Sequence, residues 1–346
     1  MFQDKPSGIV KVLSETTRRT DEGEKLEACQ KISTLNVYLM FAQAIAGVVG
    51  EAAGCFNVKC IQTLQRSFNF LKSMLCCVWP GRLTTMIKNI VVPFKAAFRN
   101  PGRDRQWARD QALGPEVTVS GSQLTIKNVR NFRWGKDGRK GVYETRTYDL
   151  EKIETAWFAL APFGRTGAMA HVWVSFGFSD GSYVSISVEA RRERGESYSA
   201  WRGMWRQYEV TYVIADERDV IPLRTHVGDY ETYLYPVEAE LHKIRGFFKD
   251  MVLTADALEK TPTFYHTLWN SCATSLIKHI NKITPHRAPR LDLRILFPGY
   301  ADRLAYRLGL IRSDMDFPSV REAHKIKAKA LAAPLDDHWS RAIRSK

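Results

Sequence analysis

Two runs of strict alternation, His171-Val-Trp-Val-Ser-Phe-Gly-Phe178 and Tyr183-Val-Ser-Ile-Ser-Val-Glu189, constrain this chain more than any other feature; only Ser179-Asp180-Gly181 and Ser182 lie between them. Side chains on a strand change face at every residue, so Val172, Val174, Phe176 and Phe178 share one apolar face. Burying that face requires Val184, Ile186 and Val188 beside it, hence a hairpin whose loop has an odd number of residues. A three-residue loop, Ser179 to Gly181, pairs Phe178 with Ser182 and sets His171 opposite Glu189, with Trp173, Ser175, Ser185 and Ser187 on that second face. A five-residue loop sets Arg191 opposite His171 instead and leaves Glu189 diagonal to it. Either way an imidazole gains a carboxylate neighbour, the pairing that fixes a tautomer and steadies an imidazolium. The same pattern also describes an ordinary surface pair, and the chain holds eight histidines.

A second stretch gives the imidazole something to act on. Trp269-Asn-Ser-Cys-Ala-Thr-Ser-Leu276 reads as the start of a helix, with Asn270 or Ser271 as its cap and Leu276, Ile277 and Ile280 as its apolar face. Cys272 then sits where free backbone N–H groups and the helix dipole favour a thiolate. Five of the six cysteines occur at or before Cys77, so Cys272 stands apart. Packing as a small buried residue is the plain alternative. Joined to the hairpin, the expected set is Cys272 as nucleophile, His171 as base and Glu189 as orienter; His266, six residues before the cysteine, is the competing base.

The 346 residues suffice for one large core and an appendage, without help from metals or disulfides. No cysteine pair or Cys/His spacing suggests a metal, and no cofactor is expected. A net charge of +14 exceeds what folding needs and points to an anionic partner. From Arg66 to Arg103 seven basic residues and no acidic ones are interleaved with Phe68, Phe70, Trp79 and Phe94, which suits a membrane phospholipid surface better than nucleic acid; nucleic acid is not expected. Residues 36–50 are apolar but short for a membrane span and run into Glu51. Pro101-Gly102 marks a boundary, giving a leader with basic amphipathic helices over 1–100 and a catalytic domain over 101–346. In the latter, strands are expected at 117–126, 143–150, 155–160, 207–214 and 231–237, a helix at 238–258 stopped by Pro262, and another at 300–308.

The order of histidine hairpin first and cysteine helix second is similar to the circularly permuted papain-like fold. More specifically, the chain from about Asn100 resembles the Lnb N-terminal periplasmic domain family, associated with bacterial lipoprotein N-acylation. The blocks that carry this are Asp104-Arg-Gln-Trp107, Thr125-Ile-Lys-Asn-Val-Arg-Asn-Phe132, Thr147-Tyr-Asp-Leu150 and His171 to Phe178. Further on come Glu189-Ala-Arg-Arg-Glu-Arg-Gly-Glu196, Arg206-Gln-Tyr-Glu209, Ala215-Asp-Glu-Arg-Asp219 and Asn270-Ser-Cys-Ala-Thr274. The resemblance implies an α+β fold, an antiparallel sheet packed on the cysteine-bearing helix, behind an N-terminal helical region. It implies acyl transfer through a thioester on Cys272, from a phospholipid or lipoprotein ester to an amine such as a lipoprotein N-terminus. A hydrolase of the same fold and a non-catalytic membrane-surface module are the competing expectations. Trp173, Asn270, Ser187, Arg191 and Arg192 are the candidate substrate contacts, and the expected location is the inner membrane, with the domain in the periplasm.

Overall fold

A computed structural model describes residues 99–346 except 103–104, 136–137, 165, 284–287, 289–291 and 346, all within the compact unit Thr84–Lys346. The leader, the 36–50 segment and nearly all of the basic stretch lie outside the described residues.

Eight strands make one sheet: β1 (Glu116–Ser120), β2 (Gln123–Gly135), β3 (Gly138–Asp149), β4 (Ile153–Phe163), β5 (Met169–Phe178), β6 (Tyr183–Arg191), β7 (Glu209–Asp216) and β8 (Tyr233–Pro236). Their order is β1-β2-β7-β6-β5-β4-β8, with β3 also on β2. A parallel bridge between β2 and β7 at Arg130 and Ala215 makes the sheet mixed, where a purely antiparallel one was expected. The fold is α+β.

The β5–β6 hairpin uses the three-residue loop. Gly181 takes φ +83, a left-handed conformation that costs glycine nothing, and Phe178 N–H donates to Ser182 O at 3.0 Å. Val174 therefore pairs with Ile186 and Trp173 with Ser187. Parity then sorts the two faces. Val172, Val174, Phe176, Ile186 and Val188 join the larger core; Trp173 joins Val213 and Ala215 in a second core on the opposite face.

On the larger core lie helices that follow the sheet. After a short α1 (Glu217–Pro222), which continues as a π-helical turn Leu223–Val227, the long α2 (Leu241–Lys260) buries Ile244, Phe247, Phe248, Met251, Val252 and Ala255. That three-to-four spacing is one apolar stripe, and each fully buried side chain is worth roughly 1.5–3 kcal/mol. The helix α3 (Cys272–Ile283) packs beside it through Ala273 and Leu276, and α4 (Leu293–Leu296) and α5 (Ala301–Arg307) close that side. Three more helices, α6 (Phe317–Ala323), α7 (Lys327–Ala332) and α8 (Trp339–Ala342), complete the chain. Trp339 from α8 and Ala330 from α7 fill the second core with Val220 and Ile221 of α1. The five expected strand regions, the 238–258 helix and the 300–308 helix all correspond to elements, whereas α1, α4 and α6–α8 were not anticipated.

Candidate active site

Cys272 is the first residue of α3, and the turn before it is closed by a reciprocal pair of bonds. Ser271 N–H donates to Thr274 Oγ1 at 2.8 Å, while Thr274 N–H donates back to Ser271 Oγ at 3.4 Å. This is a capping box with threonine in the third position, and it fixes where the thiol points. The backbone N–H groups of Cys272, Ala273 and Val172 face the sulfur and favour its anion, but burial dominates and pushes the thiol above its usual range.

Val172 follows His171 on β5, and its contact with sulfur is possible because the β5–β6 ladder stops at Trp173 and Ser187. Beyond that pair β5 stays bonded to β4 and β6 to β7, so the two strands part. The His171 ring lies on the Trp173 face, stacked on that indole with centroids 5.7 Å apart. The sulfur belongs to the core of the other face and shares no hydrogen bond with the ring. A resting sulfur–imidazole bond, expected from the sequence, is therefore absent: strand alternation sends the ring away from the face that α3 covers. The two residues meet through the backbone at the gap where the strands diverge.

His171 Nε2 is 3.8 Å from Glu189 Oε1, too long for a hydrogen bond, and the Ser187 hydroxyl spans the interval. Ser187 Oγ donates to Glu189 Oε1 at 3.1 Å and lies 2.6 Å from His171 Nε2. Since the serine proton is committed to the carboxylate, Oγ accepts from Nε2–H. The lone pair then resides on Nδ1, which makes no hydrogen bond among the described residues, and a general base needs such a nitrogen.

Glu189 is itself tightly held. Gln111 Nε2 donates to Oε2 at 2.7 Å and Arg224 Nη2 to Oε1 at 3.1 Å. Although burial opposes its charge, Arg224 and then Arg130 hold the carboxyl well below the usual range. His171 is pushed down to about 3, first by burial and then by the Arg224 charge, with Glu189 pulling the other way. At neutral pH the resting pair is thus a neutral imidazole and a protonated thiol.

Several expected substrate contacts prove to be framework. Trp173 and Ser187 are fully buried, the first as core and the second as the bridge just described. Arg191 is buried as well, its guanidinium bonded to the Gln111 and Ala112 carbonyls and to Glu259, over the Trp107 ring. Arg192 pairs with Asp110 at 2.9 Å. Both guanidiniums are thus engaged by internal acceptors. Asn270 is half-buried, donates to Phe264 O and accepts from Lys278 Nζ at 3.1 Å. His266 accepts Leu268 N–H on Nδ1 and stacks on Trp269, facing its own turn rather than the sulfur. Sequence reasoning missed Arg224, Gln111 and the hydroxyl pair Tyr198–Tyr265, 3.2 Å apart, whose phenols are raised by burial first and further by their nearness to Cys272.

The model of the Lnb N-terminal periplasmic domain matches residues 141–299, a span containing His171, Ser187, Glu189, Arg224 and Cys272. Over these residues the chain is similar to the Lnb N-terminal periplasmic domain family. The Lnb match is shorter than the resemblance from about Asn100 suggested, and Gln111 falls before it. No curated protein and no solved structure matches the chain. The Lnb domain is a periplasmic one, and among the described residues no helix is long and apolar enough to cross a membrane.

Proposed function

We propose that this Lnb domain is a thiol-dependent acyltransferase with Cys272 as nucleophile and His171 as base, acting in the periplasm as part of a membrane-associated protein. The observation that carries the reading is the junction where β5 leaves β6: Val172 N–H faces the Cys272 sulfur, and the adjoining His171 ring has its Nε2 committed and its Nδ1 unbonded among the described residues. Unliganded catalytic sites commonly hold such bonds open and tighten them only around substrate. Those same amides, of Val172 and Cys272, are the donors an oxyanion at this carbonyl requires.

In the first step the sulfur attacks the carbonyl carbon of a phospholipid or lipoprotein acyl ester. The S–C bond forms, the C–O bond breaks, and the thiol proton passes by way of His171 to the departing alkoxide. An amine, as on a lipoprotein N-terminus, then attacks the thioester; the C–N bond forms, C–S breaks, and His171 carries the amine proton back to sulfur. Glu189, through Ser187, keeps Nε2 protonated throughout.

Intact-mass measurement of the protein incubated with a labelled phospholipid, with and without an amine-bearing lipopeptide, tests this. An acyl adduct on Cys272 that discharges to the peptide is the expected result. Discharge to water at the same rate in both tubes would make the domain a hydrolase. Absence of any adduct, with vesicle binding retained, would make it a non-catalytic surface module.

A further inference from the structure

Next to the candidate nucleophile the core is incompletely filled. A cavity of about 70 Å³ lies between the larger-core face of the sheet and helices α2, α3 and α5, walled by Phe158, Ile244, Leu276 and Leu304 among others. Its surface is almost wholly carbon. Lys243, the only charged residue on its wall among the described residues, turns its ammonium to Glu240 Oε1 at 2.7 Å. Packed interiors leave few such voids, and apolar ones stay dry and take apolar guests.

Its position gives it a guest. Val172 and Ala273 both line the cavity, and the backbone amides of these two residues also face the Cys272 sulfur. A group bonded to that sulfur therefore has the cavity beside it. We propose that this cavity receives the leading methylenes of an acyl chain carried on Cys272, so that chain length is sensed between α3 and α5. This deepens the acyltransferase reading and rests on it for the name of the guest. At under half of the roughly 150 Å³ that holds a benzene ring, the resting cavity suits a segment of a few carbons.

Alkyl methanethiosulfonates test the cavity without requiring acyl transfer. The Cys272 sulfur attacks the reagent's sulfenyl sulfur, an S–S bond forms, methanesulfinate leaves with the electron pair of the bond that breaks, and the thiol proton goes to buffer. Labelling of the full chain by the methyl and butyl reagents is followed at Cys272 by peptide mass, with the urea-unfolded chain as reference. Folded protein is expected to favour butyl over methyl at least tenfold more than unfolded chain does. Ala305→Phe, which fills the cavity from α5, is expected to abolish that preference while leaving methyl labelling unchanged; Ala301→Leu serves should Ala305→Phe fail to fold. Equal ratios in folded and unfolded protein, a ratio unmoved by a folded filling variant, or no labelling of Cys272 by either reagent would overturn the cavity. A persistent butyl preference in a protein that forms no acyl adduct would overturn the transfer reading and leave the cavity standing.

Discussion

At the residue scale the decisive arrangement is a relay of three side chains, and its parts are separately testable. Cys272→Ser should abolish adduct formation with the fold retained, because the alcohol is a far weaker nucleophile in the same buried place. Ser187→Ala leaves Nε2–H facing a carboxylate 3.8 Å away and should lower kcat/KM by about tenfold, or ~1.4 kcal/mol, since the tautomer is no longer enforced. The His171 value of about 3 sets the pH behaviour. If His171 is the base, it is competent wherever it is unprotonated, so kcat/KM should stay flat through pH 6.5 and fall only in strong acid. Burial is the main cause of that low value, and Arg224→Gln removes the stronger-acting of the two cations that add to it, so the acid limb should move upward, seen in a kcat/KM titration; an unmoved limb would mean another group is being titrated. His171 and Glu189 were legible because parity and an odd loop leave few registers. Ser187 as the bridge was not, nor were Arg224 and Gln111: their side chains reach Glu189 from 35 and 78 residues away in sequence, and no local period encodes that.

At the element scale, the start of α3 is where sequence chemistry and site geometry coincide. Ser271 was readable as a cap, and its partner Thr274 completes the box that aims the thiol. Ser271→Ala should cost about 1 kcal/mol, a drop of roughly 2–4 °C in Tm by calorimetry, and should also slow adduct formation, because the first turn frays at the proposed nucleophile's position. A loss of stability with unchanged adduct rate would separate the cap from the chemistry. The face to which β5 sends His171 was equally readable, since alternation places it opposite Val172, yet the consequence for Cys272 was not. Which face α3 would cover depends on contacts among α2, α3 and the sheet, and an amphipathic helix specifies only that it needs an apolar surface. α1 did leave a signal: Asp216 accepts Arg218 N–H at 3.0 Å as its cap, and Glu217 and Asp219 follow in the first turn. The small helices α6–α8 left little, being held by tertiary contacts such as Trp339 in the second core rather than by a long periodic stripe.

At the scale of the whole molecule, charge decides two behaviours. His171, His226, His266 and His279 are all held below the ordinary histidine value by burial, so the folded state takes up fewer protons than the unfolded one. Their contribution to stability is complete above about pH 6.5 and is lost as pH falls below it; Glu189 and Asp216, also held low, add a second loss beneath about pH 4. Tm should therefore fall in two stages on acidification, and His171→Gln should flatten the first without removing it. The second behaviour concerns the +14 excess, to which the seven basic residues of 66–103, unopposed by any acid, contribute half. Near an anionic bilayer each such residue is worth about 1 kcal/mol within a Debye length, enough in sum to hold the domain at a lipid surface, as the proposed function requires. Co-sedimentation with phosphatidylglycerol vesicles should be strong at low salt and decline with ionic strength. Replacing Arg82, Lys88 and Lys95 by glutamate should weaken it at least tenfold while leaving methanethiosulfonate labelling of Cys272 unchanged. Salt-independent sedimentation would assign the attachment to the apolar residues of the same stretch, and loss of Cys272 labelling would show that the leader supports the domain's fold rather than its address.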